Sequence, residues 1–247
     1  MFQNLGQLVL LIWKTLKALP DLGKQRAKFV YQLYEIGNGS LLMTCMLSLF
    51  IGGVLALQTG PLLAERGMST FMGGIVGLSA CRELAPVMIA ILITGRNGSA
   101  MAAEIGSMRV YQEIDALRTM NIDPIRFLVL PRITAITVAV PLLVGFAILF
   151  SWFGGGLVCV MNNDIGISFQ AYYSDLKEVV GLSDVLNGLI KSTVFATAVG
   201  TVCCHQGLTT LGGPRGIGRS VTKAVVNSIV IILILDYGLT RLLMHFE

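Results

Sequence analysis

Five long apolar stretches dominate the pattern of hydrophobic and polar positions along the chain. A helix that crosses a bilayer needs about 20 consecutive, mostly apolar residues. The stretches do not alternate between polar and apolar residues, as strands of a membrane barrel would. The pattern therefore predicts an all-α membrane protein with about five transmembrane helices. The predicted spans are residues 36–64, 67–95, 133–163, 185–211 and 224–240.

The first 35 residues have a different pattern. Apolar residues recur on one helical stripe from Leu5 to Leu19, Lys14 and Lys17 lie on the polar side, and Pro20 ends the pattern. Such a stripe predicts an amphipathic helix lying in the membrane interface, followed by a connector, over residues 1–35. A packed helix of an ordinary N-terminal extension is the alternative that the pattern leaves open.

The distribution of lysine and arginine predicts which side each connection faces. The segments before the first span, between the second and third, and between the fourth and fifth are rich in basic residues, whereas the other connections carry only Arg66 and Lys177. Basic loops stay in the cytoplasm. We therefore predict that the N-terminus is cytoplasmic and that residues 164–184, which include Asp164, form an outer loop. Within this loop, the spacing of Phe169, Tyr172 and Leu176 predicts a short helix; an aromatic belt would explain the tyrosines equally well.

Composition supports the membrane class and excludes others. Apolar residues make up 54% of the 247 residues and charged residues only 13%, whereas soluble domains carry about 25% charge. The net charge of +4 is too small and too dispersed to predict nucleic-acid binding. The five cysteines lie in apolar stretches without metal-ligand spacing, so we expect no disulfide framework, no metal site and no cofactor bound by this chain.

Four charged residues interrupt the apolar stretches: Arg82, Glu83, Lys191 and Asp236. Charges at membrane depth are costly, and they usually line a cavity or pair with one another. One interpretation is a polar lining for a substrate path that meets a lipid headgroup. The alternative is a set of ion pairs that lock helices together, for example Glu83 with Lys191.

The segment 104–124 predicts a cytoplasmic amphipathic helix between the second and third spans. Val110, Ile114, Leu117 and Met120 recur at intervals of three and four residues, and Asp123-Pro124 ends the pattern. Such a helix can dock its apolar face into a groove of a partner, or it can rest on lipid headgroups. If it docks, a Leu117→Asp substitution should abolish partner association while the chain still inserts.

Several catalytic signatures are absent from the sequence. The chain has no GxxxxGK[ST] phosphate-binding loop and no readable catalytic triad, so we predict that it is not an enzyme. Energy for uphill transport would have to come from a partner or from an ion gradient.

The motifs in the central part of the chain are recognisable. The runs RELAPV from Arg82, GRNGSAMAAEIGSMRVYQEIDAL from Gly95 and DPIRFLVLPR from Asp123 resemble the MlaE family of ABC-transporter permeases. Lys191-Ser192, the run GGPRGIGRSVTKAVVNS from Gly212 and Asp236 fit the same family. The resemblance covers roughly residues 40–240.

This resemblance implies a specific assembly. Such permeases form homodimers with cytoplasmic ATPase subunits, which use ATP and Mg, and associate with an MCE-domain protein on the outer face and often with a STAS-domain protein. They move phospholipid between the inner and outer membranes of diderm bacteria, which implies an inner-membrane location here. The four intramembrane charges would belong to the transport cavity or its supports. The helix at about Met108–Met120 would couple to the ATPase through these residues: Met108, Val110, Glu113, Ile114, Asp115, Leu117 and Met120.

Two other functions remain compatible with the residues alone. An ion-coupled secondary transporter would use the intramembrane charges as a relay and would need no ATPase. A non-transporting scaffold would use only the cytoplasmic helix, to recruit a partner.

Overall fold

The fold is almost entirely helical, as the sequence predicts. A computed structural model describes residues 2–162 and 166–245; helices make up 91% of the structure, and these ranges contain no strand. Residues 163 and 164, where the predicted third span ends and the predicted outer loop begins, lie outside the described ranges. The α-helices in these ranges are α1 (Phe2–Ala18), α2 (Arg26–Glu65), α3 (Met72–Ser79), α4 (Ala85–Ile93), α5 (Ser99–Val110), α6 (Glu113–Thr119), α7 (Leu130–Met161), α8 (Phe169–Val179), α9 (Leu182–Leu208) and α10 (Gly213–Met244).

Short 3₁₀ and π-helical segments join some of these helices into longer ones. The 3₁₀ segments are Leu19–Gln25 and Ser69–Phe71, and the π-helical segments are Ala80–Leu84, Thr94–Gly98 and Ile125–Val129.

Five helical stretches are long and apolar enough to cross a membrane, which confirms the predicted number. They are Arg26–Glu65, Ser69–Val110, Ile125–Met161, Leu182–Leu208 and Gly213–Leu243. All five begin before the predicted apolar stretches or extend beyond them. Charged residues such as Glu35 and Arg96 end an apolar stretch without ending the helix, because glutamate and arginine are good helix formers.

The chain divides into two compact units. The first unit comprises residues 1–39, 90–140 and 193–247, and the second comprises residues 40–89 and 141–192.

The core of the first unit fixes the position of α6. Ile114 of α6 is fully buried, together with residues of α1, α5, α7, α9 and the π-helical segment before α7. Met108 and Leu117 pack against this core while half-buried. The buried members of the cluster are Leu11, Ile105, Ile114, Leu128, Val129, Ile133 and Cys204. The helix between the second and third spans is therefore anchored to its own chain.

In the second unit, α8 packs closely on α3. Tyr172 and Leu176 of α8 are buried in a cluster with Met72 and Val76 of α3. The approach requires glycine at position 73, where a Cβ atom would collide with the carbonyl oxygen of Tyr172. The short helix predicted over residues 169–180 is therefore present, and Tyr172 is a core residue rather than part of an aromatic belt.

Candidate functional site

Arg82 and Glu83 lie on a π-helical turn inside the second span. In this turn the amide of Ala85 donates to the carbonyl oxygen of Ala80, five residues earlier. A π-helical turn carries one extra residue and is frequent at functional sites. It also widens the helix locally, so a backbone carbonyl can accept a hydrogen bond from outside the helix.

Lys191 of α9 bonds to both residues of this turn. Its Nζ atom lies 2.9 Å from Glu83 Oε1 and 2.9 Å from the carbonyl oxygen of Arg82. The Lys191 side chain is 3% exposed, whereas that of Glu83 is 40% exposed. Lys191 comes nine residues after Leu182, about 14 Å along α9, so the ion pair lies well inside the span.

Arg82 forms a second ion pair across the same two helices. Its Nε and Nη2 atoms both lie 2.6 Å from Asp184 Oδ1. Asp184 is 5% exposed, and its Oδ2 atom accepts a hydrogen bond from the amide of Gly181, which precedes α9. The carboxylate thus bonds to the start of one helix and the π-helical turn of another.

Asp184 is a site residue that the hydropathy pattern did not identify. It lies at the edge of the fourth span, where an acidic residue is typical of a solvated first helical turn. Its position seven residues before Lys191 was the available signal, because residues seven apart lie on one helical face. We name the set Arg82, Glu83, Asp184 and Lys191 the ion-pair cluster.

The cluster brings together three of the four predicted intramembrane charges. Close packing of the two helices permits this, since a Cβ atom at Gly188 would collide with the carbonyl oxygen of Cys81. Arg82 and Glu83 keep 34% and 40% of their side chains exposed. The cluster is therefore compatible with both interpretations of the sequence. Its ion pairs join two helices, and the partly exposed Arg82 and Glu83 leave one cation and one anion accessible to a substrate.

Asp236 belongs to the first unit and lies half-buried in α10. Only 11% of the apolar stretch of α10 is buried within the chain, against 33–50% in the other four spans. Val230, Ile234 and Tyr237 form part of its exposed face. Asp236 thus lies in the span that buries least surface against its own chain.

The segment between the second and third spans differs from the predicted single helix. The chain leaves α5 at Val110, turns at Tyr111 and Gln112, and forms only the seven residues of α6. Gln112 and Asn121, on either side of α6, have positive φ angles of 61° and 58°. The apolar periodicity continues across the turn, which is why the sequence pattern did not detect the break.

The predicted coupling residues fall into two groups. Ile114 is buried, and Met108, Val110 and Leu117 are half-buried, whereas Glu113 and Met120 are exposed. Asp115 is half-buried and accepts hydrogen bonds from Arg109 at 2.8 Å and Arg118 at 3.3 Å. A Leu117→Asp substitution would therefore disturb the internal packing of the chain as well as any docking surface.

The described residues provide no site for a metal. Across residues 2–162 and 166–245, no three histidine, cysteine, aspartate or glutamate side chains gather in a way that could hold an ion.

Comparison with known proteins identifies the family. The sequence profile described as "Permease MlaE" matches residues 29–242, which is most of the chain. The chain belongs to the MlaE permease family. Its match contains all five spans nearly in full, the ion-pair cluster and α6.

Named relatives support the same assignment. A probable ABC transporter permease protein of Rickettsia typhi is 38% identical over 86% of this chain and 81% of its own length. The "intermembrane phospholipid transport system permease protein MlaE" of Haemophilus influenzae is 35% identical over 98% of this chain and 92% of its own length. The chloroplastic protein TRIGALACTOSYLDIACYLGLYCEROL 1 of Arabidopsis thaliana is 34% identical over 85% of this chain and 59% of its own length. The chain is thus a multi-pass membrane protein similar to transporter permeases.

Proposed function

We propose that this MlaE-family chain is the membrane subunit of an ATP-driven transporter that moves phospholipid between the inner and outer membranes of a diderm bacterium. The observation that carries the proposal is the similarity to the Haemophilus influenzae permease, which extends over 98% of the chain. In this proposal the chain itself performs no catalysis. ATP and Mg are used by a separate cytoplasmic ATPase.

The ion-pair cluster supplies the polar part of the transport path. A phospholipid needs apolar walls for its tails and polar groups for its head. Arg82 and Glu83 offer accessible groups of opposite charge, and their partners Asp184 and Lys191 hold them in place. Because the charges are already paired, the cluster can sit at membrane depth without a bound ion. This favours a lipid path over the relay of an ion-coupled transporter.

The exposed side of α6 supplies the contact with the ATPase. Ile114 anchors α6 to the core of the first unit, so a force on α6 is transmitted to the chain. Glu113 of α6, Tyr111 before the helix and Met120 directly after it are exposed and available to a partner. A short helix that is anchored to its own chain and flanked by exposed apolar residues suits a groove on a partner surface.

The remaining partners follow from the family resemblance. We propose a homodimer, an MCE-domain protein on the outer face and, in some assemblies, a STAS-domain protein. The exposed apolar face of α10 supports a second copy, since α10 buries the least surface of the five spans within one chain. In the predicted orientation, the outer-face partner meets the chain near α8.

Purification from mild detergent tests the proposal. We expect the tagged chain to recover an ATPase, a second copy of itself and bound phospholipid, and the reconstituted complex to move labelled phospholipid only with ATP and Mg. Recovery of the chain without ATPase or lipid would contradict the proposal. Transport that follows an ion gradient without ATP would favour the secondary transporter instead.

A further inference from the structure

A second polar site lies in the first unit, beside the start of α2. A cavity of about 400 Å³ is lined there by Lys28, Tyr31, Met108, Phe127, Pro131 and Arg132. This volume lies in the range of small-molecule sites, about 300–1,000 Å³. No residue of the ion-pair cluster and none of α6 lines this cavity, so it is distinct from the site described above.

Two cationic side chains line the cavity, and one of them has a buried hydrogen-bond donor without an acceptor. Arg132 pairs with Glu104 at 2.9 Å through Nη2 and donates to the carbonyl oxygen of Leu128 at 3.1 Å through Nη1. Its Nε atom is buried and has no acceptor among the described residues. A buried donor without an acceptor costs free energy, which a ligand that accepts a hydrogen bond would recover.

Lys28 is the second cation. Its Nζ atom lies 2.8 Å from the centroid of the Phe127 ring, and no carboxylate in the described part of the chain pairs with it. Glu104 neutralises the charge of Arg132, so the charge of Lys28 is not neutralised by Glu104. The cavity therefore favours an anion.

The position of the cavity indicates what kind of anion it meets. Arg132 immediately precedes the uncharged run that starts at Ile133, so it lies at the edge of the hydrocarbon region. Tyr31, Met108, Phe127 and Pro131 make the rest of the wall largely apolar. A cationic end and an apolar wall at headgroup level match a phosphate attached to a glycerol and acyl chains.

We propose that this cavity holds the phosphate of an anionic phospholipid as a resident lipid, separate from any lipid that is transported. Lys28 forms the ion pair with the phosphate, and Arg132 Nε donates a charge-assisted hydrogen bond. A zwitterionic headgroup carries its own cation, which Lys28 and Arg132 would repel. The inference needs neither an ATPase nor transport, so it does not rest on the proposed function.

Native mass spectrometry of the full-length chain in mild detergent tests the site. Dioleoylphosphatidylglycerol and dioleoylphosphatidylcholine are titrated separately. We expect one phosphatidylglycerol to be retained at least about fivefold more strongly than phosphatidylcholine, and Lys28→Gln to abolish that preference. The matched control is Arg26→Gln, two residues earlier on α2 and also exposed, which does not line the cavity. It should stay within about twofold of the unchanged chain.

Four outcomes would overturn the proposal. Equal retention of the two lipids would show that the cavity does not select an anion, and equal effects of Lys28→Gln and Arg26→Gln would show that the lipid binds elsewhere. Displacement of phosphatidylglycerol by millimolar inorganic phosphate would identify a free phosphate as the ligand. Loss of ATPase recovery in Lys28→Gln, with lipid retention unchanged, would identify an acidic group of the partner. Arg132 is left unchanged, because its substitution would also break the pair with Glu104.

Discussion

The ammonium of Lys191 lies 2.9 Å from the carboxylate of Glu83, although 108 residues separate the two along the chain. The lysine is almost completely buried and the glutamate is not. The two partners therefore depend on the pair unequally, because the lysine is enclosed by its own chain and the glutamate is only partly enclosed.

This asymmetry predicts an unusual order of stability among variants. Glu83→Ala removes a carboxylate that lies beside the buried charge of Lys191, which should cost about 3–5 kcal/mol. Lys191→Met should cost less, because the charge that it leaves, on Glu83, is only partly buried. The double variant should be more stable than Glu83→Ala alone. Thermal unfolding of the detergent-solubilised chain measures all three, and additive losses would contradict a coupled pair.

The hydroxyl of Tyr172 gives a prediction about pH. Burial raises the pKa of Tyr172, and its hydroxyl has no hydrogen-bond partner among the described residues. A folded-state pKa above the unfolded value, about 10, means that stability is fully present below that pH and falls as the pH rises past it. Tyr172→Phe should remove this alkaline loss.

At neutral pH, Tyr172→Phe should leave stability unchanged or raise it by up to about 1–3 kcal/mol, because it removes a buried unsatisfied hydroxyl. Tyr172→Ala, by contrast, opens a cavity and should cost about 3–5 kcal/mol. Unfolding temperatures between pH 8 and pH 11 distinguish the variants. An alkaline loss of the same size in Tyr172→Phe would show that another group titrates.

The two sides of α6 predict separable effects. Met120→Asp should lower ATPase recovery at least about tenfold, because it puts a charge into a docking surface, and it should leave the unfolding temperature unchanged. Met120→Leu is the matched control and should behave like the unchanged chain. Ile114→Ala should instead destabilise the chain by about 2–5 kcal/mol, since Ile114 is buried. ATPase recovery unaffected by Met120→Asp would exclude this surface as the docking site.

The contact between α3 and α8 predicts a difference between two glycines. Gly73→Ala places a methyl group against the carbonyl oxygen of Tyr172 and should cost about 1–3 kcal/mol. Gly145→Ala is the control, because nothing lies within 4 Å of its added Cβ atom. It should lose no stability. Equal unfolding temperatures for the two variants would mean that α8 can move away from α3 at little cost.

Hydropathy predicted the helical class and the number of spans, because both follow from the length and charge of apolar stretches. It also placed Glu83 and Lys191 among the important residues, since charges inside such stretches are rare. It missed Asp184, which lies where a helix start ordinarily carries an acid. It also missed the break at Gln112, because a single left-handed residue does not interrupt an apolar periodicity.

The π-helical turn at Ala80–Leu84 has a consequence for rotation. Each residue of an α-helix turns the chain by about 100°, so one extra residue in the turn sets α4 about 100° away from the angle that an unbroken helix would give it. Deleting one residue from this turn would leave a continuous helix of normal hydrogen bonds. It would also rotate every side chain of α4 to a different direction relative to α3. The five residues of this turn therefore determine the direction in which the side chains of α4 point. A single deletion there would change that direction without breaking the helix.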